Sequence, residues 1–490
     1  MRFSILLISF FVLYSTLIVR MIYIQNNPYN ITKHVLSTRY NIYDRNKITL
    51  AYTLYTKSAY INPSQISEPA LSLYAYHFPD MISQIIENKN KTFIWLKRHL
   101  TNEEITNISS LYIPGLHICK DQKRIYPHNH LGAHVIGFCD KNNIGKQGAE
   151  YAFQQTLQKS NVHLSLDIRA QYILDNQIQK AVDSLEAEGG AGILINLQGE
   201  ILAMSSYPFV TAEDSQTFIK HMNRCVIPFE VGSILKIHNI AMLLNSKTAT
   251  LNTEFDARGT FKVGRFEIQD LFGQNRILTL RESALYSSNI ATAKSVLLAN
   301  SQLQRNFFEK IGFMQSLEWM PKHIAKPLLP KQWSESLMIT ASYGYGIGIS
   351  ALHLIQSMLR LITGTNININ IQKFNSATKS ILSDSTVSQI RTLLQEIVEK
   401  GHGSRAKVSK LSVGAKTGTA NICVNGKYIE NQNHVSFVSV FPIQNPKYIL
   451  LLQMTKPKVH KLRYGKYATA SNVLGEHIKK CTHDIWCVLH

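Results

Sequence analysis

The sequence lacks most of the motifs by which other enzyme classes are recognised. It has no Walker loop and no H-E-x-x-H pair, so nucleotide hydrolysis and zinc-peptidase chemistry have nothing to rest on. Its six cysteines, Cys119, Cys139, Cys225, Cys423, Cys481 and Cys487, never fall in C-x-x-C spacing, which removes the common zinc pattern. None sits beside a His in a recognisable motif, so none reads as a nucleophile. There is no zinc-finger spacing and no RNA-binding aromatic motif, and Lys and Arg are scattered, so no nucleic-acid partner is expected. Internal repeats and low-complexity tracts are absent. Gly344-Tyr345-Gly346-Ile347-Gly348 lacks the G-x-G-x-x-G spacing of a dinucleotide loop.

What is present bounds the answer further. A chain of 490 residues suggests two or three domains, and 45% hydrophobic residues suffice for a sizeable core. The net charge of +20 suits anionic surroundings such as lipid headgroups or wall polymers. Phe3 to Val19 carries no charge, and Met21 to Ile24 extends the apolar stretch past Arg20. About 20 such residues cross a bilayer. The stretch ends without the small-residue site of a cleaved signal peptide, so residues 1–25 are expected to be an uncleaved membrane anchor. Later segments are too short or too polar to span, which leaves one crossing and a large region on one side.

Residues 26–160 are broken and mixed, with a helix-like stretch near Asn90–Leu100 and turns at Pro114-Gly115 and Gly145; they read as a non-catalytic pedestal. Residues 161–490 have another texture. Apolar spacing predicts a helix over Ala170–Ala187. Gly192–Asn196 and Glu200–Met204 flank a Gln198-Gly199 turn, a β-hairpin signal. The run after Gly232 is apolar all round and predicts a buried helix with Ser233 at its start. A helix is expected over Ser350–Leu361, and strands over Val435–Phe441 and Tyr448–Met454. The fold class is therefore α+β, a mixed sheet packed by helices. Cys481 and Cys487 either close a small loop in an oxidising compartment or remain free thiols.

Three short words carry the chemistry. They are Ser233-Ile234-Leu235-Lys236, Ser287-Ser288-Asn289 and Lys416-Thr417-Gly418-Thr419, in the order S-x-x-K, S-x-N, K-T-G. The first recurs at Ser376–Lys379 and Ser404–Lys407, which are taken as coincidence; the other two occur once. A serine hydroxyl is a poor nucleophile and needs a base, and i and i+3 on a helix share a face. An unpaired Lys inside an apolar helix is costly, so Lys236 is read as functional. Burial and a cationic neighbour such as Lys416 lower a lysine pKa enough for it to act as that base. Ser287 can relay a proton, and Asn289 can hold Lys236 and a substrate amide. Lys416, Thr417 and Thr419 can bind a carboxylate, with Gly418 leaving room for a substrate backbone along the strand. The backbone N–H groups of Ser233 and Thr419 are the expected oxyanion donors. His238 is expected to be a core residue. Plain structural readings stand beside these: Ser287–Asn289 as a helix cap, Lys416–Gly418 as a turn.

With these words in place, the chain resembles the class B penicillin-binding proteins, in particular the division-specific peptidoglycan D,D-transpeptidases. Further stretches carry the likeness, among them Arg124-Ile125-Tyr126-Pro127, Gly148-Ala149-Glu150-Tyr151, Met222-Asn223-Arg224, Val263-Gly264-Arg265-Phe266 and Ser342-Tyr343-Gly344-Tyr345-Gly346. The resemblance implies a penicillin-binding, serine β-lactamase-like transpeptidase domain above a dimerisation-type pedestal. It implies Ser233 as the acylated nucleophile, Lys236 as base, Ser287 and Asn289 as relay, and Lys416, Thr417, Gly418 and Thr419 as the substrate edge. Stem peptides ending in D-Ala-D-Ala would be substrates and β-lactams covalent inhibitors, with no metal or organic cofactor. The protein would cross the inner membrane once, with its bulk in the periplasm, and work with a membrane-embedded glycan polymerase and other division proteins. The alternatives are a D,D-carboxypeptidase and a division scaffold with weak catalysis. The chain departs from the family where Val231 replaces the usual Pro and Ile234 the usual Thr, and where Arg39–Lys47 lacks two glycines.

Overall fold

The computed structural model describes residues 14–18, 21, 39–264, 266–372, 379–458 and 467–490. Most of the expected anchor over residues 1–25 lies outside them, as does Ser376. Among the described residues no helix is long and apolar enough to cross a membrane. The chain divides into two compact units, one of Met1–Arg39 and Tyr55–Lys123, the other of Tyr40–Leu54 and Arg124–His490.

Strands β1 (Ile42–Tyr43) and β2 (Thr49–Ile61) come first. The smaller unit holds the end of β2, helix α1 (Glu68–His77), strand β3 (Ile94–Lys97), helix α2 (Asn102–Ser110) and most of β4 (Leu116–Ile125). Its core is small: Ile61, Ile66, Ala70, Tyr74, Ile85 and Ile113. The helix expected near Asn90–Leu100 is instead β3, paired antiparallel to β2 with Ile94 opposite Ile61 and Trp95 opposite Tyr60. The charges flanking Phe93-Ile94-Trp95-Leu96 resemble helix surface, but a short apolar run with two aromatics and a β-branched Ile packs best on a pleated surface. Phe93 stacks on Tyr60 at 4.6 Å.

In the larger unit β5 (Val162–His163) pairs parallel to β1. Helix α3 (Ile168–Ser184) begins two residues before the expected start, where Asp167 caps it by accepting the Arg169 N–H at 3.1 Å. The hairpin forms as expected, from β6 (Gly189–Asn196) and β7 (Ile201–Tyr207). Gly199, at φ +83°, makes its turn. Then come α4 (Leu235–Asn245), α5 (Asn289–Val296), α6 (Ala351–Thr363, capped by Ser350) and α7 (Asp384–Lys400). Strands β8 (Gly414–Val424), β9 (Lys427–Phe441), β10 (Tyr448–Thr455) and helix α8 (Ala470–Leu489) close the chain.

These strands form a five-stranded sheet in the order β8-β9-β10-β6-β7. Every pair is antiparallel, which corrects the mixed sheet expected from the sequence. Both faces are covered. Ile193, Ile195, Val438, Val440, Ile449 and Leu451 join one core with α4, α6 and α7. Their neighbours Leu194, Phe437, Leu450 and Leu452 join a second core with α3 and α8. Strict alternation with both faces buried explains why runs such as Ile449-Leu450-Leu451-Leu452 are apolar throughout. Each such side chain contributes roughly 1.5–3 kcal/mol on burial, which makes this sheet a rigid base for a site.

The Cys481–Cys487 loop does not form; both thiols are free. They lie on α8 six residues apart, about 9 Å along a helix, beyond the Cα separation a disulfide tolerates. Cys481 is buried and Cys487 exposed.

Candidate active site

Ser233 lies in a single 3-10 turn, Gly232–Ile234, that leads directly into α4. Lys236 follows one turn later, and its side chain is entirely buried, at 0% exposure. The S-x-N word sits at the entry to α5, where Ser288 caps the helix by accepting the Ala291 N–H at 3.0 Å. The cap reading of this word therefore holds at Ser288, which leaves the side chains of Ser287 and Asn289 for other contacts. Ser287, just before it, is held at φ +54°, a left-handed conformation rare for a residue with a side chain. Lys416–Thr419 is not a turn; it lies inside β8, ahead of β9 and β10, with Gly418 opposite Ser436 of β9.

The three words meet at Lys236. Its Nζ donates to the Ser287 carbonyl at 2.5 Å and to Asn289 Oδ1 at 2.8 Å, and it lies 3.3 Å from Ser287 Oγ. Lys416 Nζ reaches the same Ser287 Oγ at 3.3 Å and donates to the Thr417 carbonyl at 3.0 Å. Ser287 Oγ is thus shared by two buried lysine amines. Burial, and then the charge of Lys416, hold the Lys236 amine well below the ordinary lysine range. Burial lowers Lys416 to about 7. A neutral lysine has two N–H donors and one lone pair. The Ser287 carbonyl and Asn289 Oδ1 can only accept, so they take both hydrogens and leave the lone pair free. The hydrogen bonds of Lys236 go to the Ser287–Asn289 turn and not to Ser233.

Three backbone segments touch beside Ser233. A Cβ on Gly232, which has φ +61°, would stand 2.4 Å from the Thr419 carbonyl oxygen. One on Gly344, at φ +104°, would stand 1.9 Å from the Gly232 carbonyl oxygen. One on Gly418 would stand 2.2 Å from the Val231 carbonyl oxygen. Only glycine permits these approaches, so the Ser-Tyr-Gly-Tyr-Gly stretch is explained as packing against the serine turn. Val231 itself is buried, and Ile234 lies over Gly418 at 2.9 Å from that same added Cβ.

Ser233, Ser287, Asn289, Thr417 and Thr419 line one open cavity of about 870 Å³. Thr419 Oγ1 accepts the Ala470 N–H at the start of α8, 2.9 Å away, which leaves its own hydrogen free to be donated. Several lining residues carry no sequence motif: Asp270, Phe272, His402 and Tyr467. Asp270 accepts the Asn289 N–H at 2.5 Å, the Ile290 N–H at 3.1 Å and the Ser288 hydroxyl at 2.6 Å. No spacing rule could have found it, because it reaches α5 from an irregular loop. Glu230 accepts from Gly346 N at 2.6 Å and from the Tyr428 hydroxyl at 3.0 Å, and burial raises its pKa. His238 is a core histidine, as expected. It bonds the Ile234 carbonyl and Ser357, and burial lowers it to about 3. Ser404 and Lys407 are both exposed. Ser404 sits in a separate 3-10 turn at the cavity wall, and among the described residues no side-chain hydrogen bond links it to Lys407 or Lys236.

Comparison with known families agrees with this geometry. The model described as penicillin binding protein transpeptidase domain matches residues 189–479. This chain belongs to the penicillin-binding protein transpeptidase family. The model described as penicillin-binding protein dimerisation domain matches residues 34–163 of this penicillin-binding protein. It is accordingly an enzyme of the serine transpeptidase class. A Caulobacter vibrioides protein named "Probable peptidoglycan D,D-transpeptidase FtsI" is 29% identical over 88% of this chain and 78% of its own length. The Escherichia coli protein named "Peptidoglycan D,D-transpeptidase FtsI" is 24% identical over 89% of this chain and 82% of its own. A crystal structure from Atopobium parvulum, named for a peptidoglycan glycosyltransferase, superposes with a TM-score of 0.72 at 20% identity. It covers 92% of this chain and 97% of that one, and at that identity the likeness is one of fold.

Proposed function

We propose that this penicillin-binding protein is a peptidoglycan D,D-transpeptidase that cross-links stem peptides during septal wall synthesis. The observation that carries the mechanism is the convergence of all three words on Lys236 and Ser287 Oγ. Ser233 Oγ attacks the carbonyl of the penultimate D-Ala, and the free lone pair of Lys236 takes the hydroxyl proton. The carbonyl oxygen becomes an oxyanion facing the backbone N–H groups of Ser233 and Thr419; one such donor is typically worth about 10²–10³ in rate. The C–N bond then breaks. The proton passes through Ser287 Oγ to the leaving amine of the terminal D-Ala, leaving an ester on Ser233. An amine of a neighbouring stem attacks that ester, gives up its proton by the reverse route, and restores the Ser233 hydroxyl.

Lys416, Thr417 and Thr419 anchor the donor's terminal carboxylate, with Thr419 donating the hydrogen that its contact with Ala470 leaves free. Gly418 lets the donor backbone lie along β8. A β-lactam, whose ring amide mimics the same bond, acylates Ser233. The relatives named as D,D-transpeptidases support the substrate class. The apolar stretch Phe3–Val19 supports a membrane anchor; a catalytic unit in the periplasm, beside a glycan polymerase and other division proteins, is what the family resemblance implies.

The test is labelling of the whole chain by a reporter penicillin, read by intact mass, with Ser233→Ala alongside. A stable adduct on the parent and none on the variant is expected, together with cross-linked product from a stem-peptide donor and an amine acceptor. A folded parent that takes no adduct would overturn the catalytic reading in favour of a scaffold.

A further inference from the structure

Lys236 directs its hydrogen bonds entirely at the Ser287–Asn289 turn, so whatever fixes that turn also fixes the base. The turn does not hold itself, because Ser287 is in a left-handed conformation that costs on the order of 1 kcal/mol or more. Its restraints come from the loop Gln269–Phe272. The Gln269 carbonyl accepts Asn289 Nδ2 at 2.8 Å. The Asp270 carboxylate takes three further bonds, from Ser288 Oγ, Asn289 N and Ile290 N. The next two residues of the loop, Leu271 and Phe272, are 59% and 48% exposed and line the catalytic cavity.

We propose that Asp270 is a positioning residue that also acts through its charge, locking the S-x-N turn under Lys236 and, with Lys416 working in the opposite sense, setting the pH range in which that base is free. The proposal rests on the acyl-enzyme reading above. The charged groups facing Lys236 are few. Lys416 approaches from β8, Asp270 from its loop, and His402, from the loop after α7, faces both lysines. Lys416 favours the neutral amine and the Asp270 carboxylate the protonated one. Because the carboxylate is committed to the α5 N-terminus, its charge is held in place and cannot swing away.

The sign of the effect is fixed. Removing the Asp270 charge lowers the Lys236 pKa, so more of the base is neutral at a given acidic pH. The acid limb of acylation therefore moves to lower pH. The experiment measures reporter-penicillin acylation rate against pH for the parent, Asp270→Asn and Asp270→Glu. Asn keeps a carbonyl acceptor for the α5 N–H groups and loses the charge, so its acid limb should move down by about one pH unit. Glu keeps the charge on a longer arm; acylation should slow several-fold with the limb unmoved. Both variants are checked by thermal melting before comparison, and if Asn does not fold, Asp270→Ser, which also removes the charge and keeps an oxygen acceptor, is measured in its place with the same shift expected. An Asn limb that stays with the parent's, or a Glu limb that moves, overturns the electrostatic role. A parent that is never acylated would instead overturn the acyl-enzyme reading itself.

Discussion

At the seam beside Ser233 three backbone segments touch with no side chain between them, while in the Tyr55–Lys123 unit buried polar side chains tie the strands together. The seam is made of Gly232, Gly344 and Gly418, and a Cβ added to any of them would meet a facing carbonyl oxygen at 2.4, 1.9 or 2.2 Å respectively. In the smaller unit Asp121 of β4 accepts from Arg98 at 2.7 and 2.8 Å and from Ser58 of β2 at 2.5 Å. Arg98 also lies over the Trp95 ring at 4.9 Å. The difference follows from what each region must do. The seam has to hold backbone donors and a hydroxyl to fractions of an ångström, and rigid main-chain contact does that. The smaller unit has a core cluster of only six buried apolar residues among those described, Ala59, Ile94 and Leu100 being buried outside it, and gains its order from a hydrogen-bonded ion pair.

Gly344→Ala strikes the first mode and should have the largest effect. An Ala Cβ cannot share space with the Gly232 carbonyl, and φ +104° is strained for any L side chain. The serine turn must move by a good part of an ångström, and a shift of that size costs about 100-fold in rate. Acylation by a reporter penicillin should fall by that factor or more, with a lowered melting temperature. Acylation at the parent rate would show that the seam tolerates slack and would dissolve the contrast.

Asp121→Ala strikes the second mode. It removes the carboxylate shared by the half-buried Arg98 and the buried Ser58, a loss of charge-assisted hydrogen bonding worth roughly 1.5–3 kcal/mol. Limited proteolysis should open sites within residues 55–123 while acylation of Ser233 is kept. Burial pushes the Asp121 carboxyl up, but the hydrogen bonds from Arg98, Ser58 and Gln122 outweigh it and hold it at about 2. A carboxyl depressed in the folded state stabilises fully above its unfolded value, about 4. That contribution disappears as the pH falls from about 4 toward 2. The parent should therefore become protease-sensitive in this unit across that window, and Asp121→Ala should show no such step.

The two regions also differ in how far they can be read from sequence. The catalytic words are legible because each residue type answers a chemical need at fixed spacing, and α3, β6 and β7 because their apolar periods are clean. What escapes is set by distant contacts. A K-T-G word alone does not reveal its ladder partner, so the pairing of Lys416 with Val438 of β9 comes only from the structure. Asp270 escapes because it caps a helix from another segment, and Ser287 because nothing local announces a left-handed backbone. In the smaller unit the charges around Ile94–Leu96 disguise a strand whose identity depends on pairing with Ala59–Ile61. The antiparallel order of the main sheet likewise depends on β10 entering between β9 and β6.

The gentlest perturbation sharpens the comparison from the side of the smaller unit. Helix α2 begins with a capping box: Thr101 Oγ1 accepts the Glu104 N–H at 3.2 Å, and the Glu104 carboxylate accepts the Thr101 N–H at 2.9 Å. No α2 residue is fully buried, so tertiary packing contributes little to this helix and the cap matters more. Thr101→Ala removes one acceptor for an orphan N–H and should cost about 1 kcal/mol. Hydrogen exchange should show the first turn of α2 opening severalfold more often, with the strands of the same unit unchanged. If the strands loosen together with α2, the smaller unit is one cooperative block, and its polar ties share the rigidity otherwise found at the glycine seam.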